Sequence, residues 1–347
     1  MGSNGERVLV TGASGFIAQH VALALLGAGY RVRGTVRDLA RAERVRKTLA
    51  AHAPGSEERL EFAAADLERD AGWDRAVADC RFVHHVASPI PRQPPAHEDD
   101  LIRPAREGAL RVLRAASEAG VERVVMTSSL AAVSYGWPRE DRPLFTEEHW
   151  TRLDGPVHVS PYEKSKTLAE RAAWDFVAAL PSGRRLDLVT VNPGFVLGPV
   201  LDEDWGTSGE LVRKLMRREV PACVHVGWAM VDVRDVAAMH LAAMTTPEAA
   251  GQRFVCATEH VWMVDVARIL DRHFRARGYR IPTRELPGWA LRVMALFDKT
   301  MRLVVNDVDK RQDVSSERAR RVLGWKPRGL EEMVVDMAES LIRYGVV

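Results

Sequence analysis

The sequence predicts an α/β protein: a Rossmann-type, doubly wound parallel sheet with a smaller, mostly helical C-terminal substrate lobe. Three observations carry that expectation. From residue 7 to about residue 200, short β-branched runs alternate with helical patterns, as in a parallel sheet covered on both faces. The first run ends in a glycine turn that opens an Ala/Leu-rich helix. After a Pro/Gly-rich stretch at 192–199, where the chain should leave the sheet, helical patterns dominate. The expected division is a dinucleotide-binding domain at 1–192, with 222–258 returning to it. Residues 193–221 and 259–347 form the substrate lobe.

Taken in order, strands are expected at 8–10, 31–36, 60–64, 81–87, 123–127 and 186–191. Helices are expected at 16–28, 39–51, 99–119 and 162–179. The second half should hold helices at 207–218, 232–244, 262–275, 289–297, 315–323 and 330–344, with short strands at 222–227 and 253–257.

Composition narrows the function classes. Of 347 residues, 46% are hydrophobic and 28% charged, and the formal net charge is +2, so no basic field for nucleic acid is present. No apolar run approaches the roughly 18 residues that span a bilayer, and no apolar leader precedes Val8. The three cysteines, Cys80, Cys223 and Cys256, lie far apart with no metal-ligand spacing. A cytoplasmic protein with buried, reduced thiols is expected, without a metal, a nucleic-acid partner or a membrane partner, as a monomer or homodimer.

The glycine turn reads Thr11-Gly12-Ala13-Ser14-Gly15-Phe16-Ile17-Ala18. Gly12 permits the turn, Gly15 lets backbone approach a pyrophosphate, and Ala18 lets helix and strand pack closely. Thr11, Gly12, Ser14, Gly15, Phe16 and Ile17 are the candidate phosphate cradle. Strand two decides the dinucleotide. An NAD-selecting site places Asp or Glu at its end for the ribose 2′-OH; here Val36 holds that position and Arg37 follows. A guanidinium suits a 2′-phosphate, so NADP(H) is expected, with Arg41 or Arg44 as a second cation. Asp66 and Leu67 stand where an adenine ring would be held, although an Asp there is equally good as a helix N-cap. Val86, Ala87, Ser88 and Pro89 end the fourth strand with small residues beside the cofactor. Strand alternation sends His84 and His85 to opposite faces as packed residues.

Chemistry enters with Ser128-Ser129, ending the fifth strand, and with Tyr162 and Lys166, which share one face at the start of a helix. An ammonium near a phenol favours the phenolate and lowers the tyrosine pKa, making it a proton donor and acceptor. A serine hydroxyl at the strand end can bind a carbonyl oxygen at the same spot. Candidate pocket residues are Pro89, Ile90, Leu130, Trp137, Phe195, Trp205 and Trp228, apolar groups suited to a bulky carbonyl substrate. Glu147, Glu148 and His149 read as a surface loop.

At these residues the chain resembles the extended short-chain dehydrogenases/reductases. Within them it is similar to the branch of dihydroflavonol 4-reductases, cinnamoyl-CoA reductases and fungal aldehyde and ketone reductases. The matching segments are 10–18, 32–37, 65–67, 85–89, 125–129, 162–170, 192–199, 231–236 and 323–327, which cover essentially the whole chain. The resemblance implies that Ser129, with Ser128 as fallback, polarises the substrate oxygen. It implies that Tyr162 donates the proton and that Lys166 tunes it while holding the nicotinamide ribose. Pro193 and Val196 would flank the nicotinamide, and Arg37 with Arg44 would hold the 2′-phosphate. The implied reaction is NADPH-dependent reduction of an aldehyde or ketone, hydride passing from nicotinamide C4 to the carbonyl carbon. Two departures bear on the substrate. His158-Val159-Ser160-Pro161-Tyr162 lacks the stretch typical of cinnamoyl-CoA reductases, and Leu130-Ala131-Ala132 replaces the Asn typical of dihydroflavonol reductases. The alternatives are an NAD-retaining sugar-nucleotide epimerase or dehydratase, and a non-catalytic NADP(H)-sensing regulator.

Overall fold

The computed structural model describes residues 5–89, 97–203, 205–287, 289 and 308–347. Its centre is a seven-stranded, wholly parallel sheet. In chain order the strands are β1 (Arg7–Val10), β2 (Arg31–Val36), β3 (Leu60–Ala64), β4 (Cys80–His85), β5 (Arg123–Thr127), β6 (Asp187–Pro193) and, after three strands of the second lobe, β10 (Arg253–Cys256). Their spatial order is β3-β2-β1-β4-β5-β6-β10. The order reverses between β1 and β4, which opens a crevice at the C-terminal ends of those two strands.

Strand alternation feeds two apolar layers. Val8 and Val10 pack with α1 (Phe16–Gly27), α2 (Ala42–His52) and α7 (Val233–Thr245). Leu9 points the other way, into α3 (Trp73–Val77), α4 (Asp99–Glu118) and α5 (Pro161–Ala178). Both faces are therefore buried, and the strands read as near-continuous apolar runs.

The second lobe has a core of its own, built from α6 (Gly206–Met216), α8 (Met263–Phe274) and α10 (Leu330–Arg343). Two small sheets complete it: β7 (Phe195–Leu197), β9 (Gly227–Asp232) and β11 (His260–Trp262) in one, β8 (Cys223–Val224) and β12 (Glu285–Leu286) in the other. A further helix, α9 (Glu317–Leu323), returns against β10 and α7. Thus β10 lies in the large sheet, whereas β8 and β9 lie with the second lobe.

Several expected boundaries move. The run at 222–227 holds the two-residue β8 and the first residue of β9, a strand with no polar alternation that would announce it. α3 is too short to show a period. Most of the helix expected at 289–297 lies outside the described residues, as does Ile90. Glu147 is not part of a solvated loop: it is 5% exposed, and its carboxylate accepts from the Val255 backbone N–H at 3.0 Å. The cysteines are free and buried. Among the described residues, no helix is long and apolar enough to cross a membrane.

Candidate active site

The glycine turn lies at the mouth of the crevice. Gly12 has φ +65°, and a Cβ there would stand 2.9 Å from the Ala87 Cβ, so only glycine lets β1 and β4 close this far. The Gly12 N–H donates to Thr35 Oγ1 at 2.9 Å, pinning the turn to β2. Thr11 is fully buried, and its hydroxyl meets His85 Nδ1 and the backbone N–H groups of Val86 and Ala87, each at 3.0 Å. Its side chain thus ties β1 to the end of β4, while Ser14, Gly15, Phe16 and Ile17 remain at least partly open. α1 starts after Gly15 with no side-chain cap, leaving its first-turn N–H groups for an anion.

The two candidate second cations behave differently. Arg37 and Arg41 are exposed and make no ion pair among the described residues. Arg44 instead pairs with Asp202 at 3.3 Å and Glu203 at 3.2 Å. Asp66 does not cap a helix: its carboxylate accepts from the Glu68 N–H at 3.1 Å in a tight turn, and α3 starts only at Trp73. Leu67 packs on Gly108 of α4, where a Cβ would approach its own Cβ to 2.9 Å. Val86, Ala87, Ser88 and Pro89 are half-buried along the crevice, Pro193 is buried at the end of β6, and Val196 is buried within β7. A basic, glycine-lined crevice ending at an uncapped helix fits a dinucleotide carrying an extra phosphate.

Across the crevice, α5 begins with a complete capping box. The Ser160 N–H donates to Glu163 Oε2 at 2.6 Å, and the Glu163 N–H donates back to Ser160 Oγ at 3.4 Å, with Pro161 in the first turn. This cap fixes Tyr162 in the first turn, and Lys166 and Glu170 follow on the same face. β5 delivers the serines. Ser128 is 2% exposed and turns into the protein to donate to Glu170. Ser129 caps the next turn by accepting from the Ala131 N–H at 3.1 Å, and its hydroxyl acts on the Tyr162 phenol, favouring the ionised form. The hydroxyl at the tyrosine is therefore that of Ser129.

The electrostatics correct one expectation. Tyr162 keeps 39% of its surface open, yet burial around its hydroxyl pushes the phenol pKa up, with the Ser129 hydroxyl opposing the rise. The Lys166 ammonium, 6.0 Å from the ring centroid, does not bring it down in the cofactor-free protein. Lys166 itself is 7% exposed and pushed down to about 8 by burial, with the Glu170 charge pulling it back up. His85, buried beside them, is pushed down to about 3 by burial and by the Lys166 charge.

A narrow cleft reaches the first turn of α5 at Ser160 and Glu163. Trp137 and Trp228 line it, and Phe195 stacks on Trp228 at 4.7 Å. Leu130 is buried in a separate small core with Val133 and Phe145. Trp205 packs in the second lobe and donates to Glu210 at 3.1 Å. Sequence reasoning missed Ser134, His158 and Gln312 on the cleft wall, which no spacing connects. It also missed Glu170, whose signal was its place one turn beyond Lys166.

Fold and site together define a dinucleotide-dependent oxidoreductase, with the cofactor crevice at the sheet switch point and a Ser-Tyr-Lys group beside it. The family model described as the NAD-dependent epimerase/dehydratase family matches residues 8–257. The chain belongs to that family, as an NAD(P)-dependent reductase of the extended short-chain type. It is 33% identical to tetraketide alpha-pyrone reductase 1 of Arabidopsis thaliana over 98% of this chain and 96% of that one. It is 34% identical to dihydroflavonol 4-reductase of Hordeum vulgare, over 82% of this chain and 79% of that one. Among solved structures, yeast methylglyoxal/isovaleraldehyde reductase Gre2 complexed with NADPH superposes with a TM-score of 0.80 at 30% identity, covering 98% of this chain and 100% of that one.

Proposed function

We propose that the protein is an NADPH-dependent carbonyl reductase that converts small-molecule aldehydes or ketones to alcohols, with Ser129, Tyr162 and Lys166 as its catalytic residues. The observation that carries this reading is the meeting of Ser129 and Tyr162 at the crevice mouth, with Lys166 behind them. The match to a reductase whose structure holds NADPH supports the choice of cofactor. Bound nicotinamide supplies the hydride.

The Ser129 hydroxyl and the Tyr162 phenol converge on one point, where they can hold a carbonyl oxygen between two donors. The raised phenol pKa keeps Tyr162 protonated at neutral pH, the form a reduction requires of its acid. When the proton leaves Tyr162 Oη, the Lys166 ammonium stabilises the phenolate left behind. The half-buried Phe195, Trp137 and Trp228 offer apolar surface for the remainder of the substrate. Arg37, with Arg41 one short turn on, is the proposed 2′-phosphate clamp, since Arg44 is engaged by Asp202 and Glu203.

A panel of aldehydes, α-ketoesters and aryl ketones, followed by loss of NADPH absorbance, tests the proposal. Turnover of at least one class with NADPH favoured over NADH is expected. Tight binding of NADPH without turnover of any class would point to a sensor, and NAD retained through purification would point to an epimerase or dehydratase cycle.

A further inference from the structure

We propose that Glu170 is a positioning residue for the proton-transfer group, holding Ser129 through Ser128 and Asn192 and placing a negative charge one helical turn from Lys166. This inference rests on the assignment of Ser129, Tyr162 and Lys166 above.

Glu170 is fully buried in α5. Its Oε2 accepts from Ser128 Oγ at 2.5 Å and from Asn192 Nδ2 at 2.7 Å. The same Asn192 amide reaches the Ser129 carbonyl at 3.3 Å. One oxygen thus holds the residue before Ser129 and the amide that touches Ser129 itself. The other oxygen accepts from Arg253 Nε at 2.6 Å, Thr190 Oγ1 at 3.1 Å and Trp174 Nε1 at 3.3 Å. Five donor groups, from α5, β6, β10 and the turn after β5, converge here, Thr190 sharing its one hydroxyl proton with Asn192 Oδ1 at 3.0 Å. Only a carboxylate can accept from all of them, because an amide would turn donors against donors.

The charge has its own consequence. The groups facing Lys166 are Tyr162 and Glu170 on α5 and the neutral His85 from β4. Arg253, from β10, meets Glu170 at the other oxygen. Glu170 is therefore the anion that keeps a buried ammonium charged, since burial alone drives a lysine toward the neutral amine. A network serving only stability would move neither Lys166 titration nor turnover at constant cofactor affinity.

The test uses the full-length protein. In cofactor-free protein carrying [13Cε]lysine, the Lys166 resonance is identified by its loss in Lys166→Arg and titrated with pH. Glu170→Gln should lower its midpoint by about one pH unit or more, and the alkaline limb of kcat/KM should move down with it. Ser128→Ala, which leaves the charge in place, should lower kcat about three- to tenfold with the Lys166 midpoint unmoved and NADPH Kd within twofold. An unmoved midpoint in folded Glu170→Gln overturns the electrostatic role. Unchanged kcat in Ser128→Ala overturns the positioning role, and decides the matter if Glu170→Gln does not fold. Failure of the reductase assignment reads differently: wild-type protein would reduce no carbonyl, whatever Lys166 does.

Discussion

The Lys166 ammonium lies 6.0 Å from the centroid of the Tyr162 ring, and each group has its pKa displaced toward its own neutral form. Burial raises the phenol and lowers the ammonium to about 8. At neutral pH the pair is thus a protonated phenol beside a still-protonated amine.

The first prediction is the pH profile of carbonyl reduction. Below pH 8 both Tyr162 and Lys166 carry their protons and kcat/KM should be flat with respect to this pair. Above about 8 the ammonium is lost and the rate should fall, approaching tenfold per pH unit for a single essential proton. Initial rates between pH 6 and 10 at saturating NADPH check this. A plateau extending to pH 10 would mean that Lys166 is not needed as a cation.

Tyr162→Phe removes the acid while keeping the ring against the cleft. Turnover should fall about 10²- to 10⁴-fold, with NADPH affinity by fluorescence changed less than threefold. Retained activity would move the proton donor elsewhere in the cleft, with Ser129 the next group to substitute.

Arg37 and Arg44 separate two roles that look alike in sequence. Arg37→Asp should reverse the preference for NADPH over NADH, because a carboxylate repels the 2′-phosphate and accepts from a 2′-OH. Arg44→Ala should weaken NADPH binding far less, because its guanidinium already pairs with Asp202 and Glu203. Kd values for both cofactors in both variants check this. Equal losses would mean that Arg44 leaves its carboxylates when the cofactor binds.

The difference between these arginines shows where the sequence stopped being informative. The parallel sheet, the glycine turn and the Tyr162/Lys166 face follow from local periods and turn chemistry, and all were readable. Position along strand two singled out Arg37, because strand register is a local matter. The partners of Arg44 were not readable: Asp202 and Glu203 come from the second lobe, far along the chain. The same holds for Ser128 against Ser129. Adjacent serines in extended backbone face opposite ways, and only the position of Glu170 shows which one turns inward. The phenol pKa was misjudged for a related reason. Spacing on a helix supplied the neighbouring charge but not the degree of burial, and burial outweighed the charge. β11 escaped notice because three residues are too few to show a period, and β9 because its run Gly227–Asp232 carries no polar alternation.

The last prediction concerns stability in acid. His84 Nδ1 meets His240 Nδ1 at 3.1 Å, His240 Nε2 meets Thr127 Oγ1 at 2.9 Å, and both rings are fully buried. One Nδ1 must donate and the other accept, as two neutral rings do, and among the described residues no acidic group acts on either ring to compensate a charge. Burial pushes His240 down to about 3, and His84 well below its ordinary value of 6.5. The folded chain therefore refuses protons that the unfolded chain takes up below 6.5. Stability from these groups is complete above 6.5 and is lost as pH falls toward 3. Each such histidine should cost about 1 kcal/mol between pH 6.5 and 5.5. Buried His20 and His85, lowered to about 4 and about 3, add to the same slope. Urea unfolding of the cofactor-free protein at pH 7.5 and 5.5 should show a loss of several kcal/mol. In His240→Gln the starting stability should be lower, but the loss on acidification should shrink by about 1 kcal/mol. A pH dependence identical to that of the parent chain would mean that His240 is protonated in the folded state and has found an acceptor for the second proton.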